Sequence, residues 1–203
     1  NIYTMRFIIS NKTASIEEPR NTNNMNCNTS ISYQRSISKE KNKKDRCCFD
    51  KKITMEREIV NNANGDIADQ WFGGGIDLTP YYLIDEDVVH FHQQCKSVCD
   101  AHDPSFYQTY KKKCDDYFWN THRNEARGVG GLFFDYCRAN NERTIEQWYD
   151  FVTDTGDAFL ACYTPIVEKR KDLPFTAKQR QWQELRRGRY VEFNLIHDKG
   201  TLF

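Results

Sequence analysis

The chain has 203 residues and a mass of 24.1 kDa, with 29 Lys and Arg against 29 Asp and Glu and a formal net charge of zero. That balance leaves no basic footprint for nucleic acid, and no run approaches the roughly 18 apolar residues of a membrane-spanning helix. A mean hydropathy of -0.82 is low for a compact domain and implies that part of the chain does not fold.

Composition divides the chain in two. Residues 1–70 hold eleven asparagines, no tryptophan, no histidine and a single glycine, Gly65. All four tryptophans, all five histidines and nine of the ten glycines lie at residue 71 or beyond. The stretches 21–30 and 36–44 carry too few large apolar groups to offset the entropy of ordering, so they are expected to be disordered. Ile53 to Asn61 is expected to form a short helix. The acids Glu17, Glu18, Glu40, Asp45 and Asp50 argue against a transit peptide. The expected organisation is a disordered, unrelated segment 1–70 followed by a partial domain 71–203.

The eight cysteines include no Cys-x-x-Cys pair, which argues against a zinc ribbon or a redox dithiol. Mostly inert thiols in a reducing, intracellular compartment are the expectation.

Downstream of Trp71 the periodicities are clear. Apolar residues at helical spacing predict a helix from Asp85 to about Asp100, with Val88, Phe91, Cys95, Val98 and Cys99 inward. Acids at its start suit the helix dipole. Asp103-Pro104 opens a second helix with a stripe of Phe106, Tyr110, Cys114, Tyr117 and Phe118, ending near His122. Gly128 to Tyr136 reads as a turn and a short buried strand.

Thr144-Ile-Glu-Gln147 is a capping box. It introduces a helix whose inward face is predicted as Ile145, Trp148, Tyr149, Val152, Phe159 and Leu160. Pro165 lacks a backbone donor and is expected to break or kink that helix. Thr176 with Gln179 caps another helix, with Gly188 as its stop. Arg189 to Ile196 alternates as a strand, and His197 to Gly200 reads as a hairpin turn. Strands and helices with hairpin connections argue an α+β fold.

Two segments carry the candidate chemistry. Trp71-Phe-Gly-Gly-Gly-Ile-Asp-Leu-Thr-Pro80 sets Asp77 beside three glycines, and Leu185 to Gly200 ends on Asp198-Lys199-Gly200. Turns of this kind let a carboxylate and the backbone approach a bulky ligand. The bland alternative is that Asp77 caps a turn, the glycines serve strand packing, and Asp198 is an ordinary turn residue. Arg186, Arg187 and Arg189 either meet anionic groups of a ligand or sit near a helix end. His90 and His92 lie two apart on a helix and face different ways, so they cannot share an ion as a His-x-x-x-His pair would.

From Trp71 to Phe203 the chain resembles the oxygen-dependent coproporphyrinogen III oxidases. The resemblance implies a large antiparallel sheet flanked by helices on both faces, in a homodimer, of which this chain supplies part. It implies oxidative decarboxylation of coproporphyrinogen III to protoporphyrinogen IX in haem and tetrapyrrole biosynthesis. Molecular oxygen is then a co-substrate, and no metal or organic cofactor is required.

Asp77 and Asp198 would be the catalytic carboxylates, with Gly74, Gly75, Arg189 and Lys199 contacting substrate. The family usually carries arginine where Lys199 stands, and lysine lacks the planar fork for a carboxylate. His90 and His122 match positions suggested for a metal in bacterial members, and His122 is placed near a dimer contact. The resemblance also implies a plastid, with mitochondrion or cytoplasm next. The family's segments upstream of Trp71 and downstream of Phe203 are expected to be missing from this chain, so the 203-residue polypeptide alone is expected to be inactive. The alternative is a catalytically dead paralogue that binds tetrapyrrole.

Overall fold

The computed structural model of the chain describes residues 3–7, 31–35, 53–61 and 66–198. Its elements in order are β1 (Tyr3–Phe7), β2 (Ile31–Arg35), β3 (Ile53–Asn61), β4 (Ile67–Pro80), α1 (Asp85–His102), α2 (Phe106–Tyr117), β5 (Trp119–Asn120), β6 (Glu125–Ala126), β7 (Gly131–Cys137), α3 (Ile145–Arg170) and α4 (Ala177–Ile196). This is the expected α+β class. The sheet is small rather than large: five antiparallel strands, with β5 and β6 forming a separate two-stranded ribbon.

β4 organises the sheet. Its first half pairs with β3 (Arg57 opposite Phe72) and its last residues with β1 (Phe7 opposite Ile76). β7 pairs with the middle, setting Phe72 against Cys137, Gly75 against Phe133 and Asp77 against Gly131. Since Phe72 pairs with both β3 and β7, those strands occupy opposite edges of β4. Ile76 pairs with both β1 and β7, so β1 shares the edge of β3.

β4 begins at Ile67 and runs across the compositional boundary at residue 70. Residues 53–61 form a strand instead of the expected short helix. The open edge of β4 satisfies their backbone groups, which overrides a weak local preference. The stretches 21–30 and 36–44, expected to be disordered, lie outside the described residues.

Alternation along β4 sends Phe72, Ile76 and Leu78 to one face, where Leu132 and Phe134 of β7 join them. α1, α2 and α3 cover this face. α1 buries Phe91, Cys95 and Cys99 at a four-residue spacing, and buried Asp87 is met by Arg170 of α3 at 3.0 Å. α3 carries the predicted capping box at Thr144 and Gln147.

The inward face of α3 is Trp148, Phe151, Val152, Thr155, Phe159, Cys162, Tyr163 and Ile166. The expected Tyr149 and Leu160 are instead exposed, a rotation of about one residue around the helix. Pro165 does not break α3. It deprives the Ala161 carbonyl of its donor, and the His90 ring lies 3.0 Å from that oxygen. A carbonyl only accepts, so His90 Nε2–H replaces the missing bond.

Two more expectations are corrected. α2 ends at Tyr117, short of His122, because the chain reverses through the β5–β6 ribbon with Asn124 at φ 50°. Asparagine tolerates that left-handed conformation. α4 runs straight through Gly188 to Ile196, so the predicted stop at Gly188 and strand at 189–196 are replaced by helix, while the predicted turn at 197–200 lies partly outside the described residues. A helix satisfies its own backbone, whereas a strand needs a partner edge, and none pairs with 189–196 among the described residues.

On the other face of β4 a second, smaller cluster forms from Cys114 and Phe118, with Phe133 of β7 and Phe193 of α4.

Candidate functional site

The second face of β4 carries Gly73, Gly75, Asp77 and Thr79. Asp77 is not in a turn: it lies inside the strand, 3% exposed. Its Oδ1 accepts from Nη2 of Arg127, which is equally buried, and lies 3.5 Å from the Thr79 hydroxyl. Arg127 follows directly from the β5–β6 ribbon, whose reversal carries it back under the sheet. The Phe118 ring sits 3.5 Å from its guanidinium carbon, with Tyr190 and Phe193 of α4 at 5.1 and 5.3 Å. Asn194 Oδ1 accepts from Nη1 at 3.4 Å.

An ion pair this buried is stable only when both members stay in place, since one alone would be an uncompensated charge in low dielectric. The negative field of Asp77 reaches its surroundings: burial first, then Asp77, push the Cys114 thiol up.

Beside the pair lies a cleft of about 220 Å³ of empty space including its mouth, lined by Asp77, Asp115, Phe118, Arg127, Gly128 and Gly130 among others. The space within it that a water-sized sphere can occupy is only about 10 Å³, room for about one water and far below the roughly 300–1,000 Å³ of a typical ligand pocket. The expected room over the glycines is taken by β7. A side chain on Gly75 would put its Cβ 2.6 Å from the Leu132 carbonyl oxygen and 3.5 Å from the Phe133 ring. Gly74 points to the first face, opposite Phe134.

Asp198 sits just past the C-cap of α4 rather than at a hairpin tip, and it is fully buried. The Tyr117 hydroxyl donates to its Oδ1 at 2.7 Å, and its backbone N–H donates to the Phe193 carbonyl at 3.0 Å. The Tyr117 ring stacks on Phe133 at 4.6 Å. Both candidate carboxylates therefore belong to the second face, held by different partners. Lys199 lies outside the described residues.

Arg186 and Arg189 converge on Glu125, at 3.3 and 3.2 Å. The helical continuation of α4 puts them one turn apart, which is why they share one acid. His122 lies 3.3 Å from Glu192 and stacks on His197 at 4.7 Å, whereas His90 is engaged with α3. The two histidines are not brought together. Arg123 first, with His122 assisting, holds the Glu192 carboxyl below its ordinary value. No group of three or more metal-binding side chains occurs among the described residues.

Sequence reasoning overlooked Arg127, Tyr117 and Asn194. One signal was available: a carboxylate on an inward strand position requires a buried cation. Which arginine answers is set by the ribbon reversal, and that is not legible in spacing.

The family profile described as Coproporphyrinogen III oxidase matches residues 51–203, beginning upstream of Trp71. The oxygen-dependent coproporphyrinogen-III oxidase of Francisella philomiragia is 51% identical over 147 residues, 72% of this chain and 47% of that protein. The chloroplastic oxygen-dependent coproporphyrinogen-III oxidase of Hordeum vulgare is 55% identical over 149 residues, 73% of this chain and 37% of that protein. The chain thus spans less than half the length of these relatives. With the match covering most of its residues, the chain belongs to the coproporphyrinogen III oxidase family.

Proposed function

We propose that the protein to which this chain belongs catalyses oxygen-dependent oxidative decarboxylation of coproporphyrinogen III to protoporphyrinogen IX. The observation that carries the reading is the buried Asp77–Arg127 pair, set in the strand segment on which the family resemblance rests.

In each of two propionates, the chain R–CH2–CH2–COO⁻ becomes R–CH=CH2. The carboxylate leaves as carbon dioxide, and oxygen takes up two electrons with one proton from the carbon and one from solvent, giving hydrogen peroxide. The porphyrinogen is electron-rich, so the proposal includes no metal or organic cofactor. Asp77 would accept from pyrrole N–H groups or take a pyrrole proton as the ring is oxidised. Asp198 would be the second carboxylate, with Arg189 and Lys199 toward substrate, whereas Gly74 and Gly75 serve the close packing of β7 on β4.

A homodimer with His122 near the contact, a role in haem biosynthesis and a plastid location belong to the same proposal. The name of the barley relative supports the last of these. Tetrapyrrole binding without turnover is the second reading, favoured by lysine at position 199 where the resemblance implies arginine.

The test is anaerobic binding and aerobic turnover of coproporphyrinogen III by the complete protein and its Asp77→Asn variant. Turnover lost in the variant with binding retained supports the oxidase. Binding without turnover in the parent supports the second reading, and no binding in either rejects both.

A further inference from the structure

Asp77 is bracketed by the segment Gly128-Val-Gly-Gly131, and three of those four residues are glycine. Gly130 adopts φ 81°, where a Cβ would lie 2.2 Å from Asp115 Oδ1. Such a segment has little stiffness of its own, so its position must be imposed from outside.

The bonds that impose it are consecutive. Leu78, the neighbour of Asp77, donates its N–H to the Gly130 carbonyl at 3.1 Å, and its own carbonyl accepts from Val129 N–H at 3.0 Å. Arg127, which holds Asp77, donates its backbone N–H to the Phe118 carbonyl at 3.0 Å. The remaining polar group of Val129 is its carbonyl, which points at α1. There His92 Nε2 lies 2.9 Å away. The other ring nitrogen, Nδ1, is 3.0 Å from the Tyr107 hydroxyl. A carbonyl cannot donate, so Nε2 carries hydrogen, and the neutral ring accepts from Tyr107 at Nδ1. Phe91 and Tyr107 meet the ring edge-on at 5.3 and 6.2 Å, which fixes its plane.

We infer that His92 is a positioning residue for Asp77: through the Val129 carbonyl it fixes the glycine-rich segment that brackets Asp77 and carries Arg127. This rests on Asp77 acting in the proposed reaction. It also gives both nitrogens of His92 a use within the chain. An apolar residue at 92 would fill the space and orphan the Val129 carbonyl.

The test compares the full chain with its His92→Phe, His92→Asn and His92→Gln variants. Asparagine is too short to reach Val129, whereas glutamine keeps a donor within reach. Amide exchange at Leu78 and Val129 is expected to speed up about three- to tenfold in the Phe and Asn variants and to return in the Gln variant. Amides in the middle of α1 and α3 should not change. Equal protection in all four proteins overturns the inference, as does a ring tautomer with hydrogen on Nδ1 by nitrogen NMR.

In the complete protein, kcat should fall with KM held in His92→Asn and recover in His92→Gln. A loosened segment with unchanged kcat removes the positioning role. If coproporphyrinogen III is not turned over at all, the proposed reaction fails, and amide exchange still decides the His92 contact.

Discussion

The two faces of β4 are nearly equally buried and chemically opposite. On the first, Ile76 and Leu78 meet Phe91, Phe134 and Phe151 in a continuous apolar core. On the second, one residue along, Asp77 is equally hidden but charged, paired with Arg127 and ringed by Phe118, Tyr190 and Phe193. The first face is what any α+β domain needs. A buried ion pair contributes little net stability over apolar side chains of the same volume. Its presence on the second face fits a chemical use for the carboxylate. A strand with a two-residue period can thus stabilise the fold with one set of side chains and hold reactive groups with the other.

The largest effect is expected on the first face. Phe151 contacts Phe106, Tyr110, Phe134 and Trp148, so Phe151→Ala should cost about 4 kcal/mol in urea denaturation by leaving a cavity. A loss below about 1 kcal/mol would mean that the cluster is not a packed core.

On the second face, Arg127→Met should cost about 3 kcal/mol by stranding the Asp77 charge. The double variant Asp77→Leu/Arg127→Met should recover most of that loss while abolishing turnover in the complete protein. If the double variant is no more stable than the single one, the pair stabilises the fold in its own right, and the contrast between the faces disappears.

A pH effect comes next. Burial, partly countered by the Val129 carbonyl, holds the His92 imidazole below its ordinary value of 6.5, with Lys111 and Asp115 acting in opposite senses. The unfolded chain then binds a proton that the folded chain refuses. The stability contributed by neutral His92 is complete above about 6.5 and is lost as pH falls from there toward the lowered folded value. Denaturation curves at pH 7 and at about pH 5.5 should differ less in His92→Gln than in the parent. An unchanged pH slope would remove His92 as its source.

The smallest effect separates the helical and extended readings of the second face. Nothing lies within 4 Å of a Cβ built at Gly188, so Gly188→Ala should stabilise α4 by about 0.5–1 kcal/mol. A destabilised variant would mean that Gly188 ends the helix, as the sequence pattern suggests.

The legible parts of the fold were those where local and tertiary demands agree. The capping boxes at Thr144 and Thr176, the α1 stripe of Phe91, Cys95 and Cys99, and the β7 strand follow from side chains a few residues apart. Residues 189–196 show the limit. Val191, Phe193 and Leu195 alternate as a strand would, yet in α4 Phe193 is buried while Val191 and Leu195 are half exposed. Alternation states a preference, and the available hydrogen-bond partners decide.

The candidate site divides in the same way. Asp77, Asp198 and the glycines stand out in their segments because carboxylates beside such spacing are chemically suggestive. Arg127 does not stand out, because nothing in His122-Arg-Asn-Glu-Ala-Arg127 says which basic residue turns inward.

By itself the sequence determined the family, the α+β class and most helix starts, since these rest on residue identity and short-range periodicity. Only the tertiary structure decided that β4 has a charged second face, that Arg127 answers Asp77, and that His90 and His92 cap carbonyls on α3 and beside Gly128. Each of these joins groups that chain reversals bring together from distant positions, and the partner of a buried polar group is fixed by geometry in space.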